Sequence, residues 1–143
     1  MSASRVLVAV AARSLSGMPE DVTLPQYRLL VVLASRGPQL VGAIAERLEV
    51  QPSTATRLCD RLARKGLIRR RQSPTSRREV EVSLSREGRR VVDEVTRRRR
   101  RAIAEIVAVV PAEQRGLVVS ALGELARAAG EVPEQAWSLG WGP

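Results

Sequence analysis

The hydrophobic period of this chain changes at Gly66, and that change narrows the folds open to it. Upstream, Ala55, Leu58, Cys59 and Leu62 fall at i, i+3, i+4 and i+7, the spacing of one helix face. Downstream, Val80, Val82 and Leu84 alternate with Glu81 and Ser83, the period of a half-buried strand. Residues 68–72 and 79–84 therefore read as two strands. The turn-rich Ser73-Pro74-Thr75-Ser76-Arg77-Arg78 joins them as an antiparallel pair. The expected class is mainly α with a small antiparallel β wing.

The remaining segments read as helices with identifiable ends. Residues 5–15 form a short helix that is apolar on most sides, so it is either buried or paired with another chain. Thr23 caps a second helix, with Pro25 in its first turn and Gln26 completing a capping box. Gly37-Pro38 stops it. A third helix spans about 41–48, with Leu40, Ile44 and Leu48 four residues apart. Gln51, a poor cap, precedes Pro52 at the opening of a fourth helix that ends near Lys65-Gly66. Ser85 caps a long helix from about Arg86 to Val109, Pro111 marks a joint, and a last helix covers about 112–129. The tail from Gly130 onward holds Pro133 and both tryptophans, Trp137 and Trp141, and is expected to be irregular.

Composition excludes several function classes. The chain of 143 residues has one cysteine and no histidine, so an internal disulfide, a zinc site of the usual ligands and the His-dependent nucleophile arrangements are ruled out. No paired carboxylates stand at a spacing that suggests acid–base chemistry, so we expect no enzyme, no metal and no cofactor. No apolar run reaches the length of a membrane span, and the start does not read as a signal peptide. A cytoplasmic protein is expected, since a lone cysteine fits a reducing compartment.

Charge is unevenly placed. Between Arg57 and Arg101 stand 17 basic and 6 acidic residues, while the rest of the chain has 7 and 9. A concentrated basic stretch is the electrostatic footprint of a polyanion binder. Lys65 is the only lysine, and arginine's planar fork suits phosphates and guanine edges. Within the stretch, Arg97 to Arg101 cannot all face one backbone, because five residues exceed one helical turn. Asp93 with Arg97, Glu94 with Arg98, and Arg101 with Glu105 are spaced to pair instead.

The order helix, helix, helix, strand, loop, strand is that of a winged helix-turn-helix, with Glu49-Val50-Gln51 as the tight turn before the recognition helix. Opposite the apolar stripe of that fourth helix lie Ser53, Arg57, Asp60, Arg61 and Arg64, flanked by Thr54 and Thr56. Short hydroxyls near the helix start and long cations further along suit base edges and phosphates. Asp60 is expected to hold Arg57 or Arg64 one turn away. Cys59 falls on the core face and reads as a small hydrophobe rather than a redox switch. Tyr27 reads as a core residue, with lining an effector pocket as its alternative.

The chain resembles the multiple antibiotic resistance regulator (MarR) family over about residues 5–129. The resemblance is carried by Leu24-Pro25-Gln26-Tyr27, Ile44-Ala45-Glu46-Arg47-Leu48, Ser53-Thr54-Ala55-Thr56-Arg57-Leu58 with Asp60-Arg61-Leu62, Lys65-Gly66-Leu67-Ile68-Arg69-Arg70, Ser76-Arg77-Arg78, and Val82-Ser83-Leu84-Ser85-Arg86-Glu87-Gly88. It implies a homodimeric, ligand-responsive transcription regulator. The first, fifth and sixth helices would build the dimer, the fourth would enter the major groove, and the wing would reach the minor groove. The family's wing carries Asp-x-Arg; here Ser76 replaces the Asp and Arg78 matches the Arg. Arg77 and Arg78 are the minor-groove candidates, since narrow grooves attract arginine.

These observations divide the chain into an N-terminal dimerisation helix (1–22), a winged helix-turn-helix (23–85), C-terminal dimerisation helices (86–130) and an irregular tail (131–143). The expected DNA contacts are Pro52, Ser53, Thr54, Thr56, Arg57, Arg61, Arg64, Arg77 and Arg78. The expected partners are double-stranded DNA, a second copy of the chain and a small-molecule effector, with no membrane. Two classes fit: a sequence-specific regulator, most plainly a repressor on a pseudo-palindromic operator, or a non-specific architectural DNA binder. Equal affinity for promoter and random DNA would favour the second.

Overall fold

The computed structural model describes residues 1–18, 21–73, 76 and 79–137. In chain order the elements are α1 (Ser2–Leu15), α2 (Leu24–Arg36), β1 (Gln39–Leu40), α3 (Val41–Leu48), α4 (Pro52–Arg64), β2 (Ile68–Gln72), β3 (Val80–Leu84), α5 (Arg86–Ala108), α6 (Ala112–Ala128) and α7 (Glu134–Trp137). The expected class, mainly α with a small antiparallel wing, holds.

Helix ends follow local chemistry. The Thr23 hydroxyl accepts from the Gln26 amide while the Gln26 side chain accepts from the Thr23 amide, so the capping box forms. Gly66, at φ +69, ends α4; its amide donates to the Ala63 carbonyl and the Leu67 amide donates to the Leu62 carbonyl. That pair of bonds is a Schellman turn, and it aims the chain into β2.

The sheet has the order β1-β3-β2, antiparallel throughout. β1 is absent from the sequence reading: two residues are too few to show a period. It forms because Gln39 and Leu40 lie beside Val82 and Glu81 and supply β3 with a second neighbour. In the β2–β3 ladder Arg70 stands opposite Val82, with Arg69 opposite Ser83 and Arg71 opposite Glu81. Arg70 thus shares the face of fully buried Val82, and Arg69 and Arg71 share the other.

One core draws on most of the elements. Leu29, Leu30 and Leu33 of α2, Ile44 of α3, Leu62 of α4, Val82 of β3 and Val91, Val92 and Val95 of α5 are almost wholly buried. By contrast α6 buries none of its residues, and Leu117, Val119, Leu122 and Leu125 are exposed. Val6, Leu7 and Val8 of α1 and Ile106 near the end of α5 are exposed too. No helix among the described residues is long and apolar enough to cross a membrane.

The tail departs from expectation. Residues 131–133 carry no regular structure, as expected, but Glu134–Trp137 form the single turn α7. The cause is tertiary. Gly130, at φ +75, closes a Schellman turn on α6, and the chain then lies back on α2. Trp137 packs partly buried against the core and donates from Nε1 to the Val132 carbonyl. Residues 138–143, Trp141 among them, lie outside the described residues.

The wing root is locked to α5 at Ser85. Its hydroxyl donates to the Gly66 carbonyl at 2.7 Å and accepts from the Gly88 amide at 2.9 Å, while its amide donates to the Leu67 carbonyl at 3.1 Å. The approach is so close that a Cβ on Gly88 would stand 2.0 Å from the Leu67 oxygen, which is backbone and cannot swing away. Gly88→Ala should therefore destabilise the fold by about 2–3 kcal/mol, the upper part of the usual range for overpacking, read as a lower urea midpoint at unchanged slope.

Candidate nucleic-acid interface

Helix α4 has two chemically distinct sides. Ala55, Leu58, Cys59 and Leu62 are buried as their spacing requires. Pro52, Ser53, Thr56, Arg57, Arg61 and Arg64 are exposed, and Thr54 is half-buried. The helix start carries no side-chain cap, and the Thr54 and Ala55 amides both donate to the Gln51 carbonyl. The positive end of the helix dipole is therefore open, beside Ser53. Two of the flanking hydroxyls have local partners: Thr56 Oγ1 donates to the Pro52 carbonyl at 3.0 Å, and Arg57 donates to Thr54 Oγ1 at 3.3 Å. Arg57 is thereby inclined toward the helix start.

The turn ahead of α4 is tight because Glu49 takes the left-handed conformation, φ +54. The Val50 amide reaches back to the Ala45 carbonyl at 3.0 Å. A non-glycine residue in that region is strained. The packing of α3 on α4 holds it there.

Asp60 does not pair within its own helix. Its carboxylate binds Arg70 of β2. The expectation of Arg57 or Arg64 is corrected by sheet packing: β2 lies on α4, and Arg70 is on the strand face that meets it. The ion pair ties the recognition helix to the wing strand. The same strand exposes two cations that sequence reasoning did not single out, Arg69 and Arg71, although the alternation of 68–72 places both on the outer face. Arg71 binds Glu81 across the ladder at 2.6 Å. Among the described residues Arg69 forms no ion pair. Arg77 and Arg78, the wing-tip candidates, lie outside the described residues.

The arginine run on α5 separates as helix geometry requires. Arg97 and Arg98 both hold Glu94, at 2.5 and 2.7 Å, and together keep its carboxyl below the usual carboxylate range. Arg98 also donates to the Ser16 carbonyl at the end of α1. Arg100 reaches Glu134 of α7. Asp93 pairs with Arg89 rather than with Arg97, because Arg97 is taken by Glu94. No bridge joins Arg101 to Glu105 among the described residues. Arg99 lies over the Tyr27 ring, 5.1 Å from its centroid.

Tyr27 is 2% exposed, and its hydroxyl is 3.3 Å from Thr96 Oγ1. Burial raises its pKa, against the lowering influence of the Thr96 bond and of Arg99. It is a core residue, as expected, and it also lines a cavity of about 920 Å³ between α2, α5 and the tail.

The fold and this two-sided helix define a winged helix-turn-helix protein. The MarR family model matches residues 22–80. The chain is 34% identical over 110 residues to the HTH-type transcriptional repressor MdtR of Bacillus subtilis, covering 77% of this chain and 71% of that protein. Among solved structures, RV1404 from Mycobacterium tuberculosis superposes with a TM-score of 0.86 at 43% identity, covering 92% of this chain and 90% of that one. PcaV, a transcriptional regulator from Streptomyces coelicolor solved with its natural ligand, has a TM-score of 0.62 at 25% identity, covering 89% and 90%. The chain belongs to the MarR family, a family of transcriptional regulators and not of enzymes.

Cys59 is fully buried, and burial pushes its thiol up to about 11. It stays protonated at pH 8, where an exposed thiol is partly ionised. Iodoacetamide should modify it at least about a hundredfold more slowly in the folded chain than in the unfolded one, because only the thiolate attacks. Equal rates would return Cys59 to the list of redox candidates.

Proposed function

We propose that this chain is a sequence-specific, double-stranded-DNA-binding transcriptional regulator, a cytoplasmic repressor that binds a pseudo-palindromic operator as a homodimer and releases it to a small effector. The observation that carries this is the outward side of α4: an uncapped, electropositive helix start followed by Arg57, Arg61 and Arg64. In a major groove, Pro52, Ser53, Thr54 and Thr56 would meet base edges and the nearer phosphates. The arginines would read guanine or hold the backbone, and Arg77 and Arg78 would extend from the wing into the minor groove.

The dimer reading is supported by the exposed apolar residues of α1, the end of α5 and all of α6. A monomer would leave this surface in water, and a second copy of the same helices can cover it by two-fold symmetry. Two α4 helices would then sit about one DNA turn, roughly 34 Å, apart. The effector reading is supported by the cavity between α2, α5 and the tail, and by PcaV, a relative solved with its ligand.

Selection of bound sequences from random DNA tests the proposal; no enriched motif would leave a non-specific architectural binder. Operator affinity should fall with salt with a log–log slope of about −5 to −9 for the dimer. Arg57→Ala or Arg61→Ala should cost about 1–3 kcal/mol and relax the motif at one position if the residue reads a base. A loss that is uniform across sequences marks a phosphate contact.

Asp60→Asn separates attraction from positioning. It removes a negative charge from the DNA-facing side and frees Arg70 from its tie between helix and wing. Affinity for random DNA should rise while the preference for the operator narrows, both measurable in one competition titration. An unaltered preference would mean that the wing keeps its place without this ion pair.

A further inference from the structure

Helix α6 is placed by its ends rather than by its sides. None of its residues is buried, yet it runs for 17 residues, about 25 Å by helix geometry. With Gly116 and Gly123 inside it, such a helix is marginal alone in water, so its position depends on what holds the two ends. At the far end Arg36 of α2 donates to the Gly130 carbonyl at 3.1 Å. At the near end the tie is Arg115.

Arg115 stands in the first turn of α6 and reaches back over the corner between α5 and α6. Its Nε donates to the Val110 carbonyl at 2.8 Å and its Nη2 to the Ala108 carbonyl at 2.6 Å. Ala108 is the last residue of α5, so one planar fork spans helix end and corner at once. The sequence on either side explains the need for it. The last carbonyls of a helix lack partners within it and form the negative end of its dipole. α5 has no basic residue in its own last turn. The Val109 amide donates to the Ile106 carbonyl and the Val110 amide to the Val107 carbonyl. Residue 111 would be next in this series and would serve Ala108, but it is a proline and has no amide hydrogen. Arg115 takes the place that the proline leaves open. α6 itself starts without a side-chain cap, and among the described residues no other side chain is hydrogen-bonded across the corner.

We propose that Arg115 is a positioning residue of the dimer: it fixes the angle at which α6 leaves α5, and so sets both how tightly a second copy docks and how far apart the two α4 helices stand. Leu117, Leu122 and Leu125 are exposed on α6, and Ile106 and Val109 are exposed on or beside the end of α5, so apolar surface lies on both arms of the corner. A second copy covers both arms together only at a matching angle, because close-packed surfaces do not adapt freely to a changed one. A corner fixed before association also loses less freedom on docking than a loose one. This rests on the homodimer reading above and adds what gives that dimer its geometry.

Two variants of the full-length chain carry the test. Arg115→Met keeps a long side chain and removes every donor, while Arg115→Lys keeps the charge at the end of α5 without the planar fork. In sedimentation equilibrium the Arg115→Met dimer should dissociate at least about tenfold more readily, since each dimer loses two corners, and Arg115→Lys should fall between it and the wild type. At concentrations where all chains are dimeric, amide hydrogen exchange should quicken in α6 and the end of α5 and stay unchanged in α2 and α4, where it reports an intact winged core. Operators whose half-sites are moved apart or together by one base pair give the readout that stability alone would not move. The wild-type chain should prefer one spacing, and Arg115→Met should flatten that preference. A residue that merely stabilised the fold would lower affinity by the same factor at every spacing. Unchanged dissociation, full recovery by Arg115→Lys, equal loss of protection in α2 and α4, or an intact spacing preference would each overturn the proposal. A wild-type chain that sediments as a monomer would defeat the homodimer reading, and this inference with it. A wild-type dimer indifferent to Arg115→Met would defeat this inference alone.

Discussion

The packing of α4 against α2, α3 and the sheet is the constraint from which the rest of the structure follows. Leu62 and Cys59 are fully buried, and Ala55 beside them admits close approach of the neighbouring backbone. Rotating this helix by one residue, about 100° by helix geometry, would bring arginine into the core and turn leucine toward water. Burying an unpaired guanidinium is far more costly than any local gain in the helix could offset. The apolar stripe thus determines where the cations point, and the outward presentation of Arg57, Arg61 and Arg64 is a consequence of core packing rather than a separate design. The Ser85 junction extends the same rigidity to the far side of the wing, where the Leu67 carbonyl lies so close to Gly88 that no side chain fits there.

What was legible in the sequence was whatever depends on near neighbours. The capping box at Thr23, the Gly66 stop, the Ser85 cap, the strand period and the two sides of α4 are set by residues a few positions apart, and each was found where the pattern placed it. What was not legible depends on contacts between distant residues. Asp60 had two arginines one turn away on its own helix, yet its partner is ten residues on, because the strand crosses the helix at that point. β1 is too short to carry a period, and the tail turn exists through its docking on α2 rather than through helix propensity. Of the candidate contacts, those on α4 could be placed from periodicity. The exposed Arg69 is legible from strand alternation alone.

The run of five arginines shows how misleading composition is when read without geometry. Five adjacent cations suggest a single polyanion-binding surface. On the helix they diverge, and four of them have separate tasks: Arg97 and Arg98 grip Glu94, Arg98 also closes the end of α1, Arg99 lies on Tyr27, and Arg100 holds the tail. The positive charge that remains open to a polyanion is concentrated instead on α4 and β2. A tally of charge by segment counts these paired arginines together with the exposed ones and cannot tell them apart.

Helix α2 joins the two ends of this arrangement. Its inward leucines pack with α4, while Tyr27, Val31 and Val32 line the cavity that α5 and the tail complete. Protein interiors are close-packed, so a helix with one side locked into a core cannot absorb a change on its other side by local softening. It must move with its neighbours or resist the change. Toward α5 helix α2 is held by the buried valines Val91, Val92 and Val95, by the Tyr27–Thr96 hydroxyl contact and by Arg99 over the Tyr27 ring; toward α4 it is held by its leucines. A shift of α2 would therefore carry α3 and α4 with it as a body, without disturbing the face that α4 presents.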